Sequence, residues 1–590
     1  MPFLDTLTVA TSILLLLVTL AAESCLSPLR YSFPSFVLSY LVSNHGLNKS
    51  LKLLDWGAPA DGPFTLAAAL LGLSLLHLRL GLLRVHARAR SRATALLACV
   101  VAINAHHIAV QVAHSRTNAA VVTAAFGALP PAYVSARGGP LLASPYAVGV
   151  HLGNGLGRDL ALEPNRTYVY KSITEPRPRP CTRFCGGPFG GTDRWDGPEL
   201  KLDVYLPSNR HALAGLGSGS GGAGGAGGAG GAGGGGRGAG RAEGAAGYET
   251  KGGATRHAPV AVMVHVHGGG WKRGSKRFIQ NNYRGGLPGA MLALGHVIVS
   301  VQYRLARDGW TGDDMLSDLR DAVRFVQQHA EEWGAEGDFI VPFGTSAGGH
   351  LSTLLAFTST HGEGTRASAR GRRSGEGVGV GEGEGEHEGD VPVQIAGVIP
   401  LYGIYELRKG ELERKTSGIA GWFDRTFTRT VAVDQACRGG ESKTAWRARR
   451  APRSASSSAS SSVRASKREG AQKHSDDSDD SDDDDSDDSD EDDACAARLS
   501  PVAHVSPSSP PTLIIHGEAD ALVPVHQGEL LRDALRREGV PHALVKVPCA
   551  DHDCDTRCSS ACSQSAVYAL ERFMHFLGRR RAEEREASYT

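Results

Sequence analysis

The strongest constraint on the fold is a series of short apolar runs that alternate with helix-like segments between residues 259 and 577. Apolar runs with few polar interruptions are typical of strands that are covered on both faces of a sheet. These runs are Pro259–His267, His296–Tyr303, Asp338–Gly344, Ile395–Tyr402, Pro511–Gly517 and Ala543–Pro548. The helical patterns are Asp314–Glu332, Ala347–Phe357, His526–Glu538 and Ser563–Leu577. This alternation predicts an α/β fold, with a mostly parallel central sheet and helices on both faces.

Three low-complexity segments interrupt this pattern. Residues 213–246 are nearly all Gly and Ala, residues 361–390 are rich in Gly, Glu, Ser and Arg, and residues 438–494 end in an Asp/Ser run. Segments of this composition bury too little apolar surface to offset the entropy of ordering them. We therefore expect three disordered, solvated insertions. The Asp/Ser run could also bind cations or be phosphorylated.

The charge balance argues against one class of partner. The 590 residues include 63 Lys and Arg against 62 Asp and Glu, a net charge of +1. A protein that binds nucleic acid through bulk charge carries a clear basic excess, so we expect no nucleic-acid partner.

The first 115 residues are predicted to associate with a membrane. Leu7–Ala22 and Phe64–Leu83 are apolar runs near the length of a bilayer span, and Thr94–Ala113 is a weaker run with polar residues at its centre. Leu7–Ala22 could instead be the core of a signal peptide, and all three could be buried helices of a soluble domain.

An Arg-rich loop between the second and third apolar runs bears on orientation, because such loops usually lie in the cytosol. Three spans would put the rest of the chain in the lumen of the secretory pathway or outside the cell. The N-x-S/T sequons at Asn48 and Asn165 would then both be non-cytosolic. With two spans, the rest of the chain would face the cytosol. We expect a membrane protein of the endomembrane or secretory pathway with a lumenal C-terminal domain.

A candidate nucleophile lies in Gly344-Thr345-Ser346-Ala347-Gly348, which matches G-x-S-x-G. The match follows a predicted strand and opens a predicted helix, as a nucleophile elbow requires. Glycines on both sides allow a tight turn that exposes the Ser346 hydroxyl. In a chain with 75 glycines, an ordinary Gly-rich turn remains the alternative.

A serine hydroxyl needs a base, and the base needs an orienting carboxylate. Asp520 follows the predicted strand Pro511–Gly517, and His552 follows the last one, Ala543–Pro548. The chain order Ser346, Asp520, His552 is that of α/β-hydrolases. The sequence therefore predicts a Ser-His-Asp triad at the carboxyl end of the sheet. The neighbouring acidic residues Asp551, Asp553 and Asp555 are expected to be solvated bystanders.

A third element, His267-Gly268-Gly269-Gly270-Trp271, ends the first predicted strand. Glycine lets backbone N–H groups approach a developing oxyanion. The alternative is again a Gly-rich turn. Trp271, Trp422 and Phe423 are predicted to line a substrate pocket, although they could equally pack a lid onto the core.

These motifs together resemble the α/β-hydrolase esterase and lipase superfamily, and in particular its HGGG-type, hormone-sensitive-lipase-like carboxylesterases with N-terminal hydrophobic segments. The likeness covers about residues 199–580 without the insertions. The chain also resembles isoprenylcysteine methylesterases, but more distantly. The motifs are HVHGGGW, YRL at Tyr303–Leu305, GTSAGGH, LYGIY at Leu401–Tyr405, and HGEADALVP followed by ADHD. The resemblance implies that Ser346 is the nucleophile, His552 the base and Asp520 its orienter. It also implies that the N–H groups of Gly268, Gly269 and Ala347 bind the oxyanion.

Cysteines around His552 depart from the family pattern. Zinc ligation is one interpretation of the spacing, but no C-x2-C knuckle is present, and disulfides are favoured in a lumenal domain. We expect no metal and no organic cofactor. The residues concerned are Cys549, Cys554, Cys558 and Cys562, with a second close pair at Cys181 and Cys185.

The expected organisation is a membrane-associated part over residues 1–115, a connecting or cap segment over 116–198, a catalytic domain over 199–580 and a tail over 581–590. The predicted function is a membrane-attached serine hydrolase that cleaves small-molecule or lipid carboxylic esters through an acyl-enzyme. The alternatives are an amidase, lipase or prenylcysteine methylesterase on the same triad, a non-catalytic binding module on the hydrolase fold, and a membrane scaffold whose acidic insertion recruits partners.

Overall fold

The structure is a computed structural model. It describes residues 13, 87–130, 162–175, 198–207, 247–249, 255–257, 259–282, 286–359, 393–408, 433, 436–439, 484–520, 522–548, 550, 552–555 and 561–588.

An eight-stranded sheet forms the centre of the described chain. Its strands lie in the order β1-β2-β6-β5-β7-β8-β9-β10. The pairs from β6 to β10 are parallel, whereas β1, β2 and β6 pair antiparallel. A separate hairpin joins β3 and β4. The strands are β1 Arg166–Ser172, β2 Glu199–Tyr205, β3 Gly247–Glu249, β4 Thr255–His257, β5 Val262–Val266, β6 Val297–Val301, β7 Ile340–Thr345, β8 Ile399–Leu401, β9 Thr512–Gly517 and β10 His542–Val547.

Eight α-helices accompany the strands in the described residues: α1 Ala87–Phe126, α2 Phe278–Asn282, α3 Leu287–Ala293, α4 Gly312–His329, α5 Ala347–Ser359, α6 Asp484–Leu499, α7 His526–Arg537 and α8 Ala561–Ser588. Short 3-10 helices occur at Ala306–Asp308, Ala330–Trp333 and Pro501–His504. A reciprocal capping box explains why α4 begins where it does. The Thr311 hydroxyl accepts from the Asp314 N–H, and the Asp314 carboxylate accepts from the Thr311 N–H.

Two apolar clusters cover the two faces of the sheet. On one face α4, α5 and α7 pack, with Leu319, Leu351 and Leu531 fully buried. On the other face α1, α3 and α8 pack, where the rings of Phe126 and Phe573 approach to 4.8 Å. Because both faces are covered, β5 and β6 are fully buried at every position, which explains why their sequences are mostly apolar.

The structure confirms the mostly parallel sheet with helices on both faces. Each of the six predicted strands and four predicted helices corresponds to an observed element. The largest differences in bounds are at β8, which covers only Ile399–Leu401, and at α8, which continues to Ser588. Besides the separate hairpin of β3 and β4, the predicted series missed β1 and β2. Both lie at the antiparallel edge of the sheet, where polar and charged residues interrupt the apolar ones, so neither forms a continuous apolar run.

The N-terminal boundaries differ from those expected. Strand β1 begins at Arg166, so the sheet starts before residue 199. Helix α1 crosses the expected boundary at residue 115 and packs on β10 and α8, where the Asn118 side chain donates to the Lys546 carbonyl at 2.7 Å. The central sheet and its covering helices therefore include residues before 199.

The apolar runs fall mostly outside the described residues. Thr94–Ala113 lies within α1, whereas Leu7–Ala22, apart from residue 13, and Phe64–Leu83 are outside. Among the helices of the described chain, none has the length and apolarity needed to cross a bilayer. The insertions 213–246 and 361–390 also lie outside the described residues. The end of the third insertion, 438–494, forms the first turns of α6. An ion pair between Asp492 of this helix and Arg438 links the two ends of the insertion.

Candidate active site

Ser346 lies in a sharp turn between β7 and α5. Its φ is 55°, in the left-handed region that non-glycine residues rarely adopt. The turn requires glycine at Gly348, because a Cβ there would lie 2.0 Å from the Val266 carbonyl oxygen. Ala347 is the first residue of α5, and its N–H has no carbonyl one turn earlier within the helix. This is the geometry of a nucleophile elbow with one backbone donor beside the serine.

The loop after β5 approaches this turn closely. A Cβ at Gly268 would lie 2.8 Å from the Thr345 carbonyl oxygen and 3.4 Å from the Ser346 Cβ. Gly269 has a φ of 118°, which side chains with a Cβ rarely adopt. Both of these predicted oxyanion residues therefore belong to a loop whose backbone contacts the nucleophile turn. The third, Ala347, is next to Ser346 in the chain.

The imidazole of His267 supports the same loop. Its Nδ1–H donates to the Gly268 carbonyl at 2.9 Å, and the ring stacks on Tyr303 at 4.2 Å. The Tyr303 hydroxyl in turn donates to the His267 carbonyl at 2.7 Å. Burial lowers the pKa of His267 to about 4, so the ring is neutral at pH 7 and acts as a fixed donor.

Asp520 and His552 form a buried pair at the ends of β9 and β10. The His552 Nδ1 lies 2.8 Å from the Asp520 Oδ2. The other carboxylate oxygen accepts the backbone N–H groups of Leu522 at 2.9 Å and Val523 at 2.8 Å. Burial alone would raise the pKa of Asp520, but His552 and His516 outweigh it and hold the pKa well below its usual range. Asp520 is therefore an anion that fixes the orientation of the imidazole.

The end of β8 brings the two halves of the site together. The Ser346 N–H donates to the Leu401 carbonyl at 3.0 Å, and the next residue, Tyr402, meets the His552 ring edge-on at 4.7 Å. The serine turn and the imidazole thus contact adjacent residues of one strand end, at the carboxyl edge of the sheet.

Backbone strain concentrates here. Among the described residues, four with side chains have a left-handed φ, and each costs about 1–3 kcal/mol. They are Trp271 after the glycine loop, Ser346, Tyr402, and Asp553 beside His552. They lie in four different loops, after β5, β7, β8 and β10, all at the carboxyl edge of the sheet that carries Ser346 and His552.

Trp271 has a different environment from the one predicted. Its indole is 2% exposed, and its N–H donates to the Nδ1 of His350 at 3.2 Å. The Nε2–H of His350 donates to the Leu499 carbonyl at 2.7 Å, and burial lowers the pKa of this histidine to about 4. This buried series of hydrogen bonds favours a role for Trp271 in supporting the glycine loop. The other two predicted pocket residues, Trp422 and Phe423, lie outside the described residues.

The expectation of a solvated Asp555 is wrong. Its side chain is fully buried, and one carboxylate oxygen accepts the hydroxyl of Tyr402. Sequence reasoning missed both residues as parts of the site, as well as His350. A signal for Tyr402 was present in the LYGIY motif, but nothing near Asp555 marks it as buried. Asp551 lies outside the described residues.

Two disulfides are described, Cys554–Cys562 and Cys437–Cys495. The first closes the loop after His552, as expected of disulfides near the base. Cys181, Cys185, Cys549 and Cys558 lie outside the described residues. Within the described ranges, no group of His, Cys, Asp and Glu is arranged to hold a metal ion.

A serine on a strained elbow, a glycine loop against it and a carboxylate–imidazole pair on later strand ends, on a mostly parallel sheet, fit the α/β-hydrolase fold and the features that the resemblance to HGGG-type carboxylesterases implied. In agreement, residues 252–434 and 470–535 match the BD-FAE family model.

Curated relatives are similar over parts of the chain. A probable carboxylic ester hydrolase, LipM, from Mycobacterium tuberculosis is 25% identical over 53% of this chain and 53% of its own length. Esterase cest-33 from Caenorhabditis elegans is 35% identical over 16% of this chain and 18% of its own. The chain thus spans about half the length of the first of these relatives. Among solved structures, an esterase from Thermogutta terrifontis is 18% identical, with a TM-score of 0.33, over 66% of this chain and 84% of that one.

Proposed function

We propose that this protein hydrolyses carboxylic esters through an acyl-enzyme, with Ser346 as nucleophile, His552 as base and Asp520 as its orienter. The observation that carries the proposal is the meeting of the strained Ser346 turn and the Asp520–His552 pair at the end of β8. The ester hydrolases and esterases among the relatives support the reaction class.

The proposed chemistry uses the two imidazole nitrogens for different tasks. Asp520 holds the proton on Nδ1, so Nε2 takes the proton from the Ser346 hydroxyl as its oxygen attacks the ester carbonyl. The same proton then passes to the departing alcohol, which leaves an acyl group on Ser346. Deacylation by water uses the same proton transfers. Nε2 takes a proton from the water, the resulting hydroxide attacks the acyl carbon, and the proton passes to the Ser346 oxygen as the carboxylic acid is released.

The oxyanion of each tetrahedral intermediate needs donors that are fixed before the reaction. We propose the backbone N–H groups of Gly268, Gly269 and Ala347 for this role. Their support is that residue 347 opens α5, and that the backbone at Gly268 closely approaches the Ser346 turn. Each such donor typically contributes about 10²–10³-fold to kcat.

Replacing Ser346 with Ala tests the nucleophile. We expect hydrolysis of a short p-nitrophenyl ester and labelling by a fluorophosphonate probe both to disappear, while circular dichroism stays unchanged. Ser359→Ala is the matched control, because it removes a hydroxyl at the far end of the same helix, where Ser359 donates to the Leu355 carbonyl. Retained turnover in Ser346→Ala would contradict the assignment. For the wild-type enzyme, rates on a panel of amides, long-chain lipids and prenylcysteine methyl esters would distinguish the candidate substrate classes.

We further propose that the apolar runs Leu7–Ala22 and Phe64–Leu83 attach the enzyme to a membrane of the secretory pathway, with the hydrolase domain in the lumen. The third run lies in α1, which lacks the apolarity of a span, so the lumenal side rests on the disulfides and not on the number of spans. The disulfides Cys437–Cys495 and Cys554–Cys562 support an oxidising compartment. The sequon residue Asn165 is exposed at the start of β1. A mobility shift on glycosidase treatment that Asn165→Gln removes would support a lumenal domain. Digestion of the hydrolase domain by protease added to sealed microsomes would contradict it.

A further inference from the structure

Tyr402 lies beside the proposed base, His552, although the sequence motifs gave it no role there. It is fully buried, and its φ of 36° is strained for a residue with a side chain. Its ring meets the His552 imidazole edge-on, with centroids 4.7 Å apart and planes at 61°. Its hydroxyl donates to the carboxylate of Asp555. One side chain therefore contacts both the base and the loop that carries the base.

The backbone of Tyr402 is fixed to the scaffold of the nucleophile. Its own N–H donates to the Ile515 carbonyl at 2.8 Å, and the carbonyl before it accepts the Ser346 N–H at 3.0 Å. The next residue, Gly403, packs so closely on α5 that a Cβ there would lie 2.9 Å from the carbonyl carbon of Gly349. Tyr402 cannot shift without moving the strand end against which Ser346 is held.

Asp555 belongs to the opposite side of the site. It lies three residues after His552, its carboxylate is fully buried, and its carbonyl accepts the Ser563 hydroxyl at 2.6 Å. The preceding residue, Cys554, is bonded to Cys562 at the start of α8. Asp555 is therefore anchored to the helix that follows the base loop. The hydrogen bond between Tyr402 and Asp555 joins this loop to the scaffold of the nucleophile.

We propose that Tyr402 and Asp555 are a positioning pair that holds His552 at the correct tilt toward Ser346. The bond to Asp520 fixes one edge of the imidazole but leaves the ring free to tilt about that contact. The edge of the Tyr402 ring restricts the tilt, and the bond to Asp555 keeps the ring in place. A buried hydrogen bond suits this task because breaking it would leave polar groups unsatisfied in the interior. The inference rests on the proposed function, since it assigns a role within the same triad.

Tyr402→Phe is the direct test, because it keeps the ring and deletes only the hydroxyl. Misplacement of a catalytic group by about 1 Å can cost about 10²-fold, so we expect kcat for a p-nitrophenyl ester to fall about 10- to 100-fold. KM should change less than about twofold, because the substrate contacts are not altered. The rate of fluorophosphonate labelling should fall with kcat. Tyr170→Phe is the matched control: it also removes one phenol hydrogen bond, to the Gln302 carbonyl at the far edge of the sheet, and kcat should be unchanged.

A second pair of variants keeps the proposal testable if Tyr402→Phe does not fold. Asp555→Asn retains an oxygen that can accept the Tyr402 hydroxyl, whereas Asp555→Ala does not. We expect the Asn variant to keep kcat within about threefold of wild type and the Ala variant to match Tyr402→Phe.

Three outcomes are distinct. A wild-type kcat in Tyr402→Phe or Asp555→Ala, even with a lowered melting temperature, would overturn the positioning role. A kcat loss in Tyr170→Phe equal to that in Tyr402→Phe would also overturn it. Wild-type protein that neither hydrolyses esters nor reacts with the probe would instead contradict the proposed function.

Discussion

Replacing Asp520 with Asn should reduce ester hydrolysis about 10⁴-fold, because the structure dictates which way the new amide must face. One carboxylate oxygen accepts the N–H groups of Leu522 and Val523 at 2.9 and 2.8 Å. Those two donors will hold the single amide oxygen of Asn in the same place. The amide NH₂ then replaces the oxygen that lies 2.8 Å from the His552 Nδ1.

An amide N–H can only donate, so Nδ1 must then accept, and the imidazole proton must move to Nε2. Nε2 in that tautomer cannot take the proton of Ser346. A 10⁴-fold loss in kcat corresponds to about 5.5 kcal/mol of transition-state stabilisation. The loss should appear in kcat, with KM little changed.

The assay is steady-state hydrolysis of a short p-nitrophenyl ester between pH 6 and 10. Asp533→Asn is the control, because it removes the charge of a partly exposed carboxylate that pairs with Arg532 on α7; its kcat should stay at the wild-type value. Unfolding curves must accompany the kinetics, since Asp520 is buried. A folded Asp520→Asn variant that loses less than about tenfold in kcat would refute the assignment of Asp520 as the orienter.

Two further predictions concern stability and the elbow. Burial lowers the pKa of His267, His296 and His350 to about 4, so their contribution to stability is present above about pH 6.5 and is lost as the pH falls toward 4. The free energy of unfolding should therefore drop by up to about 4 kcal/mol per pH unit in that window. A free energy of unfolding from urea titrations that does not change between pH 6.5 and 4 would contradict this. Gly348→Ala should abolish fluorophosphonate labelling, because its Cβ would meet the Val266 carbonyl oxygen at 2.0 Å, whereas Gly289→Ala on α3, where nothing lies within 4 Å, should label like wild type.

The parallel part of the sheet could be predicted from sequence because burial on both faces favours apolar residues along β5 and β6. The two polar exceptions, His265 and Ser300, are hydrogen-bonded to each other at 2.9 Å. The antiparallel edge of the sheet could not be predicted in this way. In β2, Asp203 is buried but hydrogen-bonded to Thr167 and Lys276, so a charged residue sits where an apolar one would have marked a strand. Only the paired partners on neighbouring elements make that charge compatible with burial.

The placement of Ser346, Asp520 and His552 after strand ends was likewise predictable, because each proposed role restricts the residue type at such a position. Tyr402 and Asp555 illustrate why their supporting contacts were not. The two residues are 153 positions apart, and a buried carboxylate looks in sequence like any solvated loop aspartate until its donor is known. Their pairing depends on β8 lying beside β9 and on the loop after β10 folding back, and both are long-range consequences of strand order. The same strand order holds Tyr402 in a strained conformation. Since strain persists only where the surrounding structure over-determines it, the cost at this residue is itself an argument that its placement beside His552 serves the site.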